Sequence, residues 1–331
     1  MTSLAKRIAV AFTFATVALP VLAQVPGDVP QDSMPLRFNV SGLDLNRGQR
    51  ATLQAELEKR DYKSAEKLLV AEIERDPKSL RTAGLLEFVG GIFFLDGEYL
   101  NAAIAWKRSE ATAPLAEPSR FTLAMAYVRL RRLDWARPEL QKLAESNPQN
   151  ALYAYWLARF DYDELKYQEA IARLQKVTLL DPKMTRAYDL LGLCYDYIGD
   201  LQGAISSFNR AVQLNLLEVK PSPWPNLDMA IALMEANDLT GAEANLHEAI
   251  RHDPRLAKAH YQLGRVLEKQ GKFTEAVDSL NTSASLDPGY PDPHYLLGRI
   301  YKRLGKDEIA NAEVKRFQEL QKPLVGLAGR R

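Results

Sequence analysis

The chain has 331 residues, with 43 basic and 42 acidic side chains, four histidines and one cysteine. Proteins that hold nucleic acid by neutralising phosphates carry a basic excess, so this balance argues against that class. Hydrophobic residues make up 47% of the chain, ample for a packed core, but no stretch reaches the roughly 20 apolar residues of a membrane-spanning helix.

The chain opens on a separate element. Lys6 and Arg7 precede an apolar run over residues 8–19, and Val21, Leu22 and Ala23 stand before Gln24. A basic start, a short apolar stretch and small or apolar residues before a cut form the pattern of a secretory signal peptide. Residues 1–23 are therefore expected to be removed between Ala23 and Gln24, the alternative being an uncleaved anchor. The mature chain is expected to be periplasmic or secreted, without a transmembrane segment. No cysteine follows the cut, which argues against a lipid anchor there. Residues 24–45, with their Pro, Gly and Asp, read as a flexible lead-in.

From residue 46 a period takes over. Alanines recur at Ala65, Ala102, Ala136, Ala170, Ala204, Ala242, Ala276 and Ala310, in steps of 37, 34, 34, 34, 38, 34 and 34 residues. A fixed spacing of this size marks a repeat architecture. With each alanine as position 20, the units start at residues 46, 83, 117, 151, 185, 223, 257 and 291. Position 8 is then small in seven units (Gly90, Ala124, Ala158, Gly192, Ala230, Gly264, Gly298), whereas the first unit has Leu53. Position 24 is apolar throughout, from Leu69 and Trp106 to Phe208 and Val314. Most units close on Asp-Pro or Asn-Pro, as at Asp76-Pro77, Asn147-Pro148, Asp181-Pro182, Asp253-Pro254 and Asp287-Pro288.

This pattern resembles the tetratricopeptide repeat family over residues 46–324, most clearly in the unit with Leu191, Gly192, Tyr195, Gly199, Ala204, Phe208 and Ala211. The implied fold is all-α: an α-solenoid, a right-handed superhelix of about eight helix-turn-helix repeats, followed by a short tail at 325–331. Each unit would pair two helices, A and B. Small residues at positions 8 and 20 let backbones approach, and larger ones at 7, 11 and 24 fill the space beside them. Gly97, Gly199, Gly271 and Gly305 should end helix A, because glycine accepts a left-handed backbone. Proline at position 32 stops helix B and suits the start of the next helix. A single unit cannot bury its apolar face alone, so stability comes from stacking. Insertions of three residues at 80–82 and four at 219–222 interrupt the period, the second beside Pro221, Pro223, Trp224 and Pro225.

Signatures of catalysis or cofactor binding are absent: no phosphate loop, dinucleotide fingerprint, nucleophile elbow or zinc-protease helix occurs. The expectation is a non-enzyme that uses no cofactor or metal. His260 and His294 share position 4 of adjacent repeats; packing between helices and a metal site are the two readings, and further ligands at a known spacing are missing. The acidic run Asp161-Tyr162-Asp163-Glu164 lacks the glycine a calcium loop needs, since Lys166 stands in its place. Cys194 lies mid-helix and reads as a small packed residue.

The resemblance also implies that A helices line a groove, with positions 2, 5, 9, 12 and 13 facing a ligand. Tyr and Arg four residues apart share a helix face, and that pair recurs as Tyr155/Arg159, Tyr261/Arg265 and Tyr295/Arg299, with Lys258 and Lys302 close to the last two. The middle of the groove differs, with Asp163, Asp189 and Asp196 beside Tyr162 and Tyr197. Tyr and Arg are enriched where binding energy concentrates, and Arg forks and Lys ammonium groups suit carboxylates. The expectation is a non-catalytic interaction scaffold that takes a protein or peptide partner, an acidic or C-terminal segment, in its groove. A solvated inner wall is the plain alternative. A carbohydrate or envelope-polymer assembly factor, or an accessory subunit of a separate enzyme, are the others.

Overall fold

The computed structural model describes residues 39–77 and 79–322, so the expected signal peptide, residues 24–38 of the lead-in and the C-terminal tail lie outside the described residues. Among these residues a 3-10 turn at Val40–Gly42 is followed by 16 α-helices, and no strand occurs. They are α1 (Arg47–Glu58), α2 (Tyr62–Arg75), α3 (Leu80–Leu95), α4 (Tyr99–Glu110), α5 (Glu117–Arg129), α6 (Leu133–Ser146), α7 (Ala151–Asp163) and α8 (Tyr167–Leu180). The second half holds α9 (Thr185–Tyr197), α10 (Leu201–Asn215), α11 (Trp224–Glu235), α12 (Leu239–His252), α13 (Ala257–Lys269), α14 (Phe273–Leu286), α15 (Asp292–Arg303) and α16 (Asp307–Gln321). No helix of the described residues is long and apolar enough to cross a membrane.

The chain forms two compact units, one ending at Leu130 with α1–α5 and one beginning at Arg131 with α6–α16. In both, the sequence register is the packing register. The alanines at position 20 are buried, seven with no exposure and Ala310 with 3%. Position 8 explains why glycine recurs. A Cβ on Gly90 would stand 2.7 Å from Trp106 Nε1, and one on Gly192 would stand 2.5 Å from the Phe208 ring. The same Cβ would meet Leu280 at 2.6 Å from Gly264 and Val314 at 2.9 Å from Gly298. The position-24 side chain therefore rests on the bare Cα of position 8 in its own unit. Leu53, large where a small residue was expected, does not prevent α1. Asn46 and Gln49 close a capping box at its start, with Gln49 N–H donating to Asn46 Oδ1 at 2.9 Å. Leu53 itself is fully buried in a cluster with Leu69, Leu85 and Val89.

Helix A ends the same way in all eight units, on a residue with left-handed φ at position 15. Gly97, Gly199, Gly271 and Gly305 have φ of 77°, 80°, 80° and 72°, as expected. The other four units place Arg60, Arg131, Leu165 and Asn237 there, at 59°, 57°, 62° and 60°. A left-handed L-residue costs roughly 1–2 kcal/mol, and hydrogen bonds hold it in place. Lys166 N–H reaches back to Asp161 C=O at 2.8 Å and Leu165 N–H to Tyr162 C=O at 2.9 Å, the pair of bonds that closes a helix on a left-handed residue. In three units the next residue caps helix B: Asp61, Asp200 and Asp238 accept from Ser64, Gly203 and Gly241 N–H.

The insertion at 219–222 is fastened from below. The buried Asn215 side chain donates to Ser222 C=O at 2.7 Å and accepts from Ser222 N–H at 2.8 Å. One amide thus substitutes for two backbone partners and returns the chain to register at Trp224.

Candidate functional site

In the second unit the first helices of successive repeats touch one another as well as their own partners: α7 with α9, α9 with α11, α11 with α13 and α13 with α15. Their shared face carries the groove residues read from the sequence. Their side chains fall into a mixed cluster at one end, an acidic stretch in the middle and a basic aromatic cluster towards the C-terminus.

At the α7 end, Tyr155 is buried, and its ring is covered by the Arg186 guanidinium of α9 at 4.7 Å. Burial pushes the Tyr155 hydroxyl above its ordinary range. Arg159 does not pair with Tyr155. It turns one helical turn onward, 3.2 Å from Asp163 Oδ1, with its guanidinium 5.7 Å from the Tyr162 ring centre. Tyr162 meets Tyr197 edge-on at 5.7 Å, and Tyr197 stacks flat on Tyr167 at 4.8 Å.

At the other end the expected Tyr/Arg pair does form on α13: the Arg265 guanidinium lies 5.9 Å from the Tyr261 ring centre. Arg265 also donates to Gln262 Oε1 at 2.8 Å. Tyr261 packs edge-on against Tyr290 at 5.2 Å. Desolvation raises the Tyr261 hydroxyl, and the charges of Arg265 and Arg299 act against that rise. Arg299 of α15 is already paired, donating from Nε to Glu268 Oε1 of α13 at 3.0 Å. Tyr295 is half exposed and leans on Phe317 of α16 at 5.2 Å. Lys302 turns to Asp307 at 3.0 Å, away from the Tyr261 cluster. Lys258 is exposed, with its ammonium 5.9 Å from the Trp224 ring centre. The structure thus brings together Tyr261, Arg265 and Arg299; Tyr295 stands near Arg299, whereas Lys302 faces a different turn.

Between the ends lie four carboxylates. Asp163 on α7, Asp189 and Asp196 on α9 and Asp228 on α11 are all half-buried, and burial raises each carboxyl above its usual range. Asp228 is pushed up to about 6, chiefly by burial, with Lys258 opposing and Asp196 adding to the rise. Asp189 is raised well above normal by burial and then by the Asp228 charge. Asp228 escaped the sequence reading because it occupies position 6, outside the positions expected to face a ligand. Glu268, which neutralises Arg299, escaped because the pair spans two repeats.

The other candidates for chemistry are spoken for. His260 Nε2 lies 3.0 Å from Pro254 C=O, and His294 Nδ1 lies 2.7 Å from Glu313. The two histidines therefore serve separate structural contacts. Cys194 is fully buried, and burial pushes its thiol up to about 12, so it is a packed residue. An open cleft of about 460 Å³ lined by Tyr188, Leu191, Tyr195, Ser206 and Arg210 shares no residue with the site.

Comparison with known proteins places the repeats. The family model described as tetratricopeptide repeat matches residues 121–160, 161–215 and 227–291. Anaphase-promoting complex subunit 3 of Dictyostelium discoideum is 36% identical over 76 residues, which is 23% of this chain. The chain spans only 8% of that protein's length. Among solved structures, PilW, a type IV pilus biogenesis factor, is similar with a TM-score of 0.56 and 19% identity, over 61% of this chain and 92% of its own. The Cut9–Hcn1 hetero-tetramer of the anaphase-promoting complex gives a TM-score of 0.57 at 14% identity, over 84% of this chain and 53% of that one. Yeast Tom70 gives 0.51 at 17% identity, over 87% and 63%. At these identities the likeness is one of fold.

Proposed function

For this chain of tetratricopeptide repeats, an all-α solenoid, we propose the role of a non-catalytic protein-interaction scaffold that holds an extended peptide segment along the first-helix face of its second unit. The observation that carries the reading is Tyr261 beside Arg265 and within the field of Arg299, with Lys258 exposed on the same helix. A flat amphipathic ring beside a guanidinium that retains free donors suits an acidic side chain or a terminal carboxylate. Arg299 contributes charge to this cluster while staying tied to Glu268, so Arg265 is the better lever. We place the scaffold in the periplasm or outside the cell on the strength of Lys6, Arg7, the apolar run at 8–19 and the small residues before Gln24. Recovery of the protein only inside the cell, with Met1 intact, removes that part of the proposal, and an exported chain starting elsewhere than Gln24 moves the cut.

The binding test is a titration of short peptides with acidic C-termini against wild type and Arg265→Glu. Loss of one partner of a desolvated charge pair costs roughly 2–5 kcal/mol, so the variant should lose most of its affinity while keeping its helical content. Wild-type binding should weaken as salt is added. Equal affinity for both proteins would leave this cluster a solvated wall.

A further inference from the structure

The acidic middle of the face is at odds with how this chain treats its other acids. Each charged residue buried in the cores has a cation: Asp161 is held by Arg137 at 2.8 Å and Arg173 at 2.6 Å, and Glu72 by Arg81 at 3.0 Å. Glu66 has Lys63 at 3.2 Å, and Glu139 has Lys142 at 3.5 Å. Asp189, Asp196 and Asp228 have no side-chain hydrogen bond or ion pair among the described residues. Asp189 Oδ1 is completely shielded from solvent and still has no partner. A desolvated carboxylate oxygen without a donor is costly.

The neighbouring cations do not make up the deficit. Arg159 is committed to Asp163, Arg186 to the Tyr155 ring, and Lys258 lies beside Trp224. A single metal ion does not fit either. Among the described residues, the only three acids whose oxygens lie within 4.8 Å of one another are Glu66, Asp96 and Glu98, in the other unit, and Lys63 already contacts all three. Carboxylates spread over two neighbouring helices match an extended, multi-donor cation instead. Next to Asp196 in the chain, the Tyr197 ring, 59% exposed, stacks on Tyr167 and meets Tyr162 edge-on, and offers π surface to a cation.

We propose that Asp189, Asp196 and Asp228 form a receptor for an arginine or lysine side chain of the bound peptide, whose stem lies against the tyrosine cluster. This rests on the peptide-binding reading above and makes the face bipolar: it takes a cation at the middle repeats and an anion at the C-terminal ones. The charged groups that act on the receptor from neighbouring helices are Arg159 of α7, on Asp189, and Lys258 of α13, on Asp228. In the free protein burial raises both carboxyls, that of Asp228 to about 6, so below that pH the pair holds a proton. An incoming guanidinium displaces that proton to solvent, so the affinity rises with pH.

The test uses short blocked Gly-Ser peptides carrying a pair of arginines, a pair of glutamates or no charge, titrated by fluorescence anisotropy. The arginine peptide should bind wild type at least about tenfold more tightly than the uncharged one, as expected for a desolvated charge pair. Its affinity should fall as pH drops below about 6. The isosteric double variant Asp189→Asn, Asp228→Asn should abolish the preference, whereas Asp253→Asn, an acid outside this face, should keep it. Equal binding of arginine and uncharged peptides to wild type overturns the receptor, and so does a preference that survives the double variant. The glutamate peptide reports separately on the Arg265 cluster, so its binding alone sinks the acidic receptor and leaves the groove standing. Absence of binding by every peptide sinks both. The pH dependence in wild type keeps the test decisive should the double variant fold poorly.

Discussion

Replacing Gly192 by alanine is expected to destabilise the protein by about 1–3 kcal/mol, the usual cost of forcing extra atoms into a packed core. The added Cβ would stand 2.5 Å from the Phe208 ring. That ring is 1% exposed and is enclosed by Ala204, Ala232 and the surrounding side chains, so it has nowhere to withdraw. The informative variant is the double one. Units that carry alanine at position 8, with Ala158 and Ala230, carry leucine at position 24, with Leu174 and Leu246. Phe208→Leu alone opens a void and should cost on the order of 1–2 kcal/mol. Gly192→Ala together with Phe208→Leu recreates the alanine-leucine combination, so its cost should fall short of the sum by roughly 1–3 kcal/mol of coupling. Urea denaturation of the four proteins measures this. Simple additivity would show that the two positions do not share a contact, and the size rule linking them would be wrong.

The repeat frame was legible because it is written in residue size at fixed spacing, and size acts locally within each helix pair. Ala65 to Ala310 are buried where the period put them. The turn residues were legible only where the chain uses glycine. At Arg60, Arg131 and Leu165 the same backbone runs against local preference, so no single-residue signal announces it, whereas Asn237 accepts it more readily. The insert at 219–222 looked like a break, and the Asn215 side chain that bridges it could not be told from any other polar residue of helix B. At the site, spacing within one helix is enough to put Arg265 beside the Tyr261 ring, 5.9 Å from its centre. It does not announce the ion pairs of Arg159 with Asp163, one turn onward, or of Arg299 with Glu268, in the preceding repeat. Contacts between repeats depend on how neighbouring helices are set against each other, which a one-dimensional period does not encode.

The pair Asp189→Asn, Asp228→Asn is expected to stabilise the free protein, and to do so only above the acid range. Both carboxyls are raised in the folded state, with Asp228 at about 6 against an ordinary 3.8. Between these values the folded chain holds more protons than the unfolded chain, so stability falls as pH rises through the folded value. Below pH 3.8 both states are protonated and the acids contribute no penalty. For Asp228 that penalty is complete above about 6. For Asp228 this amounts to roughly 2–3 kcal/mol, because each tenfold change in proton affinity is worth about 1.4 kcal/mol. Other carboxylates run the opposite way, such as Glu98 beside Lys63 and Glu243 beside Lys272, both lowered. The total profile is therefore a composite, and the difference between wild type and variant is the quantity to measure. That difference should be near zero at low pH and should grow towards neutrality, with the variant the more stable protein. A flat difference would mean that the two carboxyls titrate normally and are solvated. A growing one would show that the folded chain holds a destabilising pair of acids in place. Adding the arginine peptide to wild type should then raise its stability most at the pH where the variant's advantage is largest, because the ligand supplies the charge that the fold leaves out.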